Sequence, residues 1–466
     1  MQSVVYFGTP CAKVYMENNS KKMKRTLITA LALSLQLASG MAQDNRWTLD
    51  SCMRYAVENA TEVKRETVNA RQRRDDYRSA VQDFLPSVSG AVQGQYAWGR
   101  NIDPETNTYN NVTTFNNYYQ LYASLNVFDG FATVNAFRQA KLARNYSATA
   151  MQKVRDDVAI DVMQKYVDAA YAKASIKIAE EKLAESRRML ARIEKLYDLG
   201  EKSRPDVVQI EAQVAEDEYN LTHQQNEARQ TLLALKSAMN YPVEESLTLE
   251  VSATTGVFSP LPSADEAESI YSSFSSISPD VKTAEYKLQS ARYDYRIAKG
   301  NLMPSLTLSG GITTNYYENL SLRGQYDGFS TQFRNNRGEY LLLTLSIPIY
   351  NNSLWSKVRT TRNKRRLAEI DLDETRRKLH DKIAQAVMDA EGYAKELQQM
   401  QKKVESDSMA YHMQSRKFEE GMLSTFDLHT SAQTLLESRI KQLQMQMLLI
   451  IKQRLVSYYQ GENLIK

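Results

Sequence analysis

The stretch DYRSAVQDFLPSVSGAVQGQYAW, residues 76–98, changes its hydrophobic period at Pro86-Ser87. Before the proline the residues favour helix. After it, Val88, Gly90, Val92, Gly94, Tyr96 and Trp98 alternate with Ser87, Ser89, Ala91, Gln93, Gln95 and Ala97, the period of two that a strand presents. Proline stops a helix because it has no N–H to donate and its ring crowds the turn before it. The passage recurs as DYRIAKGNLMPSLTLSGGITTNY, residues 294–316, where Leu306, Leu308, Gly310, Ile312, Thr314 and Tyr316 form the alternating row.

The recurrence extends along the whole chain. Pro86 pairs with Pro304, Phe128-Asp129-Gly130 with Tyr350-Asn351-Asn352, Gly200 with Gly421 and Asn240 with Gly461, all at an offset of about 220 residues. A period this long signals an internal duplication and not a solenoid. Each copy predicts a helix, a strand, a loop, a second strand, a very long helix, a tight turn and a returning helix. The first copy covers 43–245, with helices over about 48–83, 131–199 and 203–240 and strands over about 87–98 and 117–128. A linker follows at 246–262. The second copy covers 263–466, with helices over about 265–301, 353–420 and 424–460 and strands over about 305–317 and 339–350.

The second strand of each copy alternates as well. Tyr119, Leu121, Ala123, Leu125 and Val127 interleave with Gln120, Tyr122, Ser124 and Asn126, and Leu341, Leu343, Leu345 and Ile347 with Leu342, Thr344 and Ser346. Aromatics sit near the strand ends at Tyr96, Trp98, Tyr118, Tyr119, Tyr316, Tyr317 and Tyr340. Strands of this length, apolar on one face and small or polar on the other, match membrane-barrel strands. The connectors Asn101–Asn116 and Glu318–Gly338 predict long polar loops. Four strands cannot close a barrel, and an open edge left in hydrocarbon costs several kcal/mol per unpaired group. Several chains are therefore expected to share one barrel.

The long helices have no proline, and only Gly392 interrupts either of them. Nearly 70 residues at 1.5 Å each span roughly 100 Å. Leu436, Ile440, Leu443, Met447 and Ile450 predict the seam of the last helix, and Met445 and Met447 belong to that packing. The turns repeat as Gly200-x-x-Ser203-x-x-Asp206 and Gly421-x-x-Ser424-x-x-Asp427. In each, glycine ends one helix, serine caps the next, and the acid faces its exposed amides.

The chain has 466 residues, 42% hydrophobic and 24% charged, with a formal net charge of +4. Its basic residues are interleaved with acids, which excludes a nucleic-acid footprint. Lys21, Lys22, Lys24 and Arg25 precede the apolar run Leu27–Leu37 and the small residues to Ala42, so 1–42 predict a leader with a secretory signal peptide starting at Met23. Cys11 lies in that leader and leaves Cys52 as a lone thiol. His223, His380, His412 and His429 are scattered without a Cys or His partner at ligand spacing. His429, near the second turn, is expected to be solvated or to face a pore. No catalytic, metal or cofactor motif appears, which excludes the common enzyme classes that carry one.

The ordered repetition of FLPSV and LMPSL, the strand exits LNVFDG and IPIYNN, and the paired hairpins resemble the TolC-type outer membrane efflux proteins over essentially all of the chain after the leader. The resemblance implies a mixed α and β membrane protein in which a homotrimer shares a twelve-stranded barrel in the outer membrane and extends a helical barrel into the periplasm. The linker near Leu247–Pro262 would join an equatorial belt. It implies a passive exit duct without cofactors, working with a periplasmic adaptor (membrane fusion protein) and an inner-membrane pump of RND, ABC or MFS type. An alternative is a periplasmic coiled-coil adaptor or structural protein.

By position, the resemblance places Asp427 in a pore ring at the periplasmic gate, and Asp206 in tip contacts. The chain departs from the best-known member at Thr430, where an acid stands, at Leu423, where an arginine stands, and at Phe418, where a tyrosine stands. A similar salt-bridge latch is then only partly retained. Gly200, Ser203, Gly421 and Ser424 would form the tips that dock an adaptor, and Pro86 and Pro304 the points where each copy enters the barrel.

Overall fold

Each copy opens on two helices where the spacing predicts one. In the computed structural model, which describes residues 46–102, 107–250, 266–321 and 326–465, a short strand β1 (Arg46–Trp47) leads into α1 (Leu49–Asn59) and α2 (Thr61–Gln82). The expected leader and residues 251–262 of the expected linker lie outside the described residues. The first break is at Ala60, fully buried with an extended backbone (ψ 141°). In the second copy α5 (Ala267–Ser275) and α6 (Pro279–Gly300) are broken at Ser278, also extended (ψ 123°). Pro279 explains the second break, since it disfavours helical geometry in the residue before it. The first break has no proline. Its exposed Asn59 carbonyl accepts a 3.2 Å hydrogen bond from Asn240 Nδ2.

After Pro86 comes β2 (Ser87–Ile102), then β3 (Tyr109–Phe128); after Pro304 come β5 (Ser305–Asn319) and β6 (Gly338–Ser346). A parallel pair of β1 with β4 (Thr248–Leu249) stands apart from them. The four strands form one antiparallel sheet in the order β2-β3-β5-β6. The register places Val88, Val92, Tyr96 and Trp98 on the same face as Tyr119 and Leu121, and as Thr314, Ile312 and Leu308, and then Leu341, Leu343 and Leu345. This apolar face is open, with Trp98 75% and Leu341 78% exposed.

Two expectations change here. Residues 109–116 belong to β3, so the first connector shrinks to the residues between Ile102 and Tyr109. Asn and Thr pair there in a regular ladder, which polar composition alone had marked as loop. The second connector contains a helix, α7 (Phe329–Asn335). Of the aromatics, Tyr118, Tyr317 and Tyr340 lie on the opposite, polar face, where the Tyr340 hydroxyl meets Gln120 Nε2 at 3.1 Å. β6 ends before Pro348, which has no N–H for a ladder.

The long helices α3 (Ala132–Asp198) and α8 (Asn352–Glu419) run from the sheet end to the G-x-x-S-x-x-D turns. Homologous side chains cap their starts: Asp129 Oδ2 accepts from Thr133 N at 2.8 Å, and Asn351 Oδ1 from Ser353 N at 3.0 Å. Near the sheet, α2 and α6 pack beside them; toward the turns, α4 (Arg204–Met239) and α9 (Thr425–Tyr459) take those places. The repeated DYR acts here. Arg144 of α3 lies over the Tyr77 ring at 4.2 Å, and Arg365 of α8 over the Tyr295 ring at 5.3 Å, so each copy fastens its lead-in helix by the same cation–π contact. Between the copies, Tyr146 stacks on Tyr286 at 4.0 Å and Gln139 Nε2 reaches Asp294 at 2.9 Å.

The largest core is at the middle of the helical part. It gathers Met53, Val162, Met163, Leu235, Met239, Leu249, Met447 and Ile451 around the β1–β4 pair. Tyr166 donates to the carbonyl oxygens of both Trp47 (3.1 Å) and Glu250 (2.9 Å), and Arg454 ties α9 to Asp50 at 3.0 Å. Cys52 is buried in this core, and burial pushes its thiol up to about 12. Of the expected α9 seam, Met447 is buried, whereas Leu436, Ile440, Leu443 and Ile450 are half-buried. Nearer the turn the buried stripe is Leu428, Ala432, Leu435 and Ser438. Its small and polar members hid it from a search for apolar heptads.

Below the sheet the backbones of Gly130 and Gly300 nearly touch. A Cβ on Gly130 would lie 2.1 Å from the Gly300 oxygen, and one on Gly300 2.5 Å from the Gly130 oxygen. Gly130 also has a positive φ of 66°. Gly300→Ala is expected to destabilise the chain by about 1–3 kcal/mol through forced backbone displacement. Gly392→Ala, with open space around it, should be neutral or stabilising by up to about 1 kcal/mol. Thermal midpoints of the two detergent-purified variants check this; equal midpoints would show that the close approach is not required.

Candidate functional site

The two G-x-x-S-x-x-D turns lie at the end of the helical part away from the sheet. In the first, Gly200 adopts φ 79° and the chain closes α3 with a Glu201 N to Leu196 O bond of 2.9 Å. Ser203 then precedes α4, with Asp206 Oδ2 accepting from Ser203 N (3.0 Å) and Ser203 Oγ (2.6 Å). Those Ser203 bonds, with Lys202 nearby, hold the Asp206 carboxyl below its ordinary range. In the second, Gly421 adopts φ 72° and Met422 N reaches Lys417 O at 2.9 Å. Ser424 Oγ accepts from Asp427 N at 3.2 Å and donates to Asp427 Oδ2 at 2.6 Å. Both turns are fixed by local chemistry: glycine supplies the left-handed residue and the serine–aspartate pair satisfies exposed polar groups of the next helix.

The site residues fall into two groups. Asp427 and Thr430 are exposed and share an open groove of about 310 Å³ with Asp407, Gln414 and Thr434, on one exposed flank of α8 and α9. Phe418, 5% exposed, instead packs between the hairpins against Ile193, Val207, Ile210 and Leu428, with Leu423 half-buried beside it. Asp206 lies toward the buried hydroxyl of Thr425. Pro86 and Pro304 are at the far end, each directly before a strand.

Several tip contacts were not visible in the sequence. Lys202 Nζ lies 5.3 Å from the Phe418 ring, and Arg192 pairs with Glu419 at 3.2 Å. Both join the first hairpin to the second. His429 is neither fully solvated nor on the groove: its Nε2 is buried and has no hydrogen-bond partner among the described residues. It lines a small cavity of about 30 Å³ between the hairpins with Lys182, Glu185, Gln213 and Tyr411. Burial and the Lys182 charge hold the imidazole below its usual range. Among the described residues no cluster of His, Cys, Asp or Glu could hold a metal ion.

Further up each hairpin the duplication carries a signal that residue types alone conceal. Ser186 of α3 donates to Asp217 of α4, which is 2% exposed and also accepts from Gln213 Nε2 at 2.8 Å. At the equivalent positions of the second copy the pair is reversed: Ser438 of α9 donates to Asp407 of α8. Lys403 pairs with Asp407 at 2.6 Å. One serine–aspartate bond therefore clips each hairpin at the same height, with the partners exchanged.

The model of the outer membrane efflux protein family matches the chain twice, over residues 53–241 and 270–457. The chain belongs to the outer membrane efflux protein family. Each match covers one copy of the duplication. The family member is 24% identical over 263 residues to the "Cation efflux system protein CusC" of Escherichia coli K12, covering 56% of this chain and 54% of that protein. It is 24% identical over 267 residues to the "Pyoverdine export outer membrane protein OpmQ" of Pseudomonas aeruginosa, covering 56% of this chain and 52% of that protein. The chain thus spans about half the length of the curated relatives it matches. Among solved structures, the Campylobacter jejuni CmeC outer membrane channel is similar with a TM-score of 0.77 at 14% identity, covering 90% of this chain and 87% of that one. The Neisseria gonorrhoeae MtrE channel in its open state is similar with a TM-score of 0.68 at 15% identity, covering 89% of each. At these identities the likeness carries the fold: long helical hairpins and a small antiparallel sheet, built twice.

The reversed clip makes a prediction. Ser186→Ala, which leaves Asp217 short of a donor, is expected to cost about 1–3 kcal/mol. Ser186→Asp alone should be worse, because it sets a second carboxylate beside a buried one. Adding Asp217→Ser should recover most of that loss by copying the second hairpin. Thermal midpoints of the three variants test it, and a double variant no better than Ser186→Asp refutes the equivalence.

Proposed function

We propose that this family member is the outer-membrane exit duct of a tripartite efflux pump or type I secretion system, assembled as a homotrimer. The observation that carries the reading is the sheet order β2-β3-β5-β6 with both outer edges unpaired and one face apolar and open to its surroundings. A sheet with that face suits lipid, and in lipid both edges must find partners. Three chains joined β6 to β2 close a barrel of twelve strands, with the row of Ser87, Gln93, Ser124, Thr307 and Ser309 lining a wet lumen. An adaptor built on coiled coils leaves this sheet unexplained.

The helices continue the duct. Near the sheet α2, α3, α6 and α8 lie side by side, and toward the turns α4, α3, α9 and α8 do, so three chains make a tube that continues the barrel into the periplasm. Transport through the duct is passive, driven by an inner-membrane pump of RND, ABC or MFS type. A periplasmic adaptor would dock at the tips around Gly200, Ser203, Gly421 and Ser424, where Leu199, Met422 and Phe426 leave apolar surface exposed. The apolar sheet face meets outer-membrane lipid, and a signal peptide delivers the chain there.

At the periplasmic gate, Asp427 and Thr430 face the lumen, and Asp206, Phe418 and Leu423 act one layer behind. The support is their separation into an exposed groove and a buried inter-hairpin contact. Three Asp427 carboxylates converging at the mouth favour cations through their summed field.

Cysteines placed on the two edges, at Ser89 of β2 and Thr344 of β6 or two residues either way, should oxidise into products of up to three linked chains in the outer-membrane fraction. Recovery of the native protein as a detergent-free monomer overturns the reading. In planar bilayers, Asp427→Ala should lower cation selectivity and weaken block by divalent cations. Unchanged selectivity removes Asp427 from the pore.

A further inference from the structure

The helix α7 sits where a long polar loop was expected, and it folds to one side. Phe333 meets the Tyr119 ring at 5.2 Å, and Phe329 meets Tyr316 at 5.4 Å, both edge-on. Tyr119 and Tyr316 belong to the apolar face, on the row of Val92 and Leu121 and on the row of Ile312 and Thr314 respectively. Thr314 Oγ1 donates to the Phe333 carbonyl at 2.7 Å. The helix is therefore on the wall that the proposed duct turns to lipid, not on the face of Gln120 and Tyr340.

Its position solves an edge problem. β6 pairs with β5 only as far as Gly338 opposite Thr313, yet β5 continues to Asn319. Gln332 of α7 takes the vacant place beside Tyr317: its Oε1 accepts from Tyr317 N at 3.0 Å and its Nε2 donates to Tyr317 O at 2.9 Å. Asn336 Nδ2 donates to Asn315 O at 3.0 Å. Side-chain amides so complete the ladder where the neighbouring strand stops.

Phe329 and Phe333 remain partly exposed and continue the open aromatic surface of Tyr96 and Trp98. Just beyond this surface stand basic groups. Arg334 is exposed and makes no ion pair among the described residues. Arg337 pairs with Glu339, and Arg100, next in the row after Trp98, lies over the Tyr109 ring at 5.1 Å. Aromatic rings followed by cations is the order that a lipid–water boundary favours: rings at the headgroup level and cations against phosphates.

We infer that α7 is an external docking helix for anionic phospholipid, with Phe329 and Phe333 at the boundary and Arg100, Arg334 and Arg337 facing the headgroups. The inference rests on the reading of the apolar face as lipid-facing. The positive charge selects the lipid, because a boundary set by rings alone has no preference between neutral and anionic headgroups.

The test uses the full-length protein in phosphatidylcholine bilayers. A nitroxide at Phe333→Cys should be relaxed by oxygen, which concentrates in lipid, more than by a water-soluble nickel chelate. A second at Leu343→Cys reports the sheet itself. Spin-labelled phosphatidylglycerol should be immobilised in preference to spin-labelled phosphatidylcholine. The preference should fall by up to about fivefold for Arg334→Gln, which has no acid partner among the described residues, less for Arg337→Gln, whose charge Glu339 balances, and most for the triple variant with Arg100→Gln. Oxygen contact at Leu343 without it at Phe333, or an unchanged preference in the triple variant, overturns the inference alone. Water contact at Leu343 overturns the membrane reading and the inference together.

Discussion

The constraint on which the rest depends is that a strand edge cannot be left bare in hydrocarbon. Each unpaired N–H or C=O there costs several kcal/mol. A sheet to which the described residues of one chain bring four strands, in the order β2-β3-β5-β6, meets the constraint by pairing its edges with those of further copies. Oligomeric assembly is thus a consequence of strand count. The same rule acts locally: where β6 stops, Gln332 and Asn336 supply the missing donors and acceptors from their side chains.

The helical part answers a different requirement, that of holding a wall about one helix thick over roughly 100 Å. A single layer has little core per residue, and the buried residues are gathered into separate clusters near the middle, beside the second copy's lead-in helices and at the tips. Between clusters, polar and cation–π contacts fix the spacing. Arg144 on Tyr77 and Arg365 on Tyr295 do so near the sheet, and the Ser186–Asp217 and Ser438–Asp407 bonds do so in the hairpins. The partly exposed cation–π pairs specify register more than they add stability, whereas the buried Ser186–Asp217 bond does both, because its loss leaves a buried acid short of a donor.

What was legible in the sequence follows from which interactions are periodic. The switch to alternation after Pro86 and Pro304 was visible because one sheet face is apolar along its length, and the capped turns because glycine and serine have local conformational reasons to stand where they do. The break at Ala60 was hidden because its cause is tertiary: a buried alanine and a carbonyl taken by Asn240. The Asn-rich start of β3 was hidden because polar residues outside the apolar band lose the alternation while keeping the ladder. At the tips, the turn chemistry was legible, but the burial of Phe418 and His429 between hairpins was not, since no local pattern records which helix face meets another hairpin.

The reversed serine–aspartate pair shows how far the duplication constrains its copies. If the two halves merely shared ancestry, Ser186 and Asp407, at matching positions, would be an unexplained mismatch, and Asp217 and Ser438 a second one. The structure pairs each mismatch with the other, because a hydrogen bond needs one donor and one acceptor but is indifferent to which helix brings the acid. Two identical residues could not have served, as two buried aspartates repel and two serines leave the neighbouring Gln213 or Lys403 without a carboxylate. What the copies retain is therefore the contact, not the residue. The exchange also leaves the buried acid on α4 in one hairpin and the lysine-paired acid on α8 in the other. The two hairpins so keep one contact while differing in how the acid is satisfied, by Gln213 in the first and by Lys403 in the second.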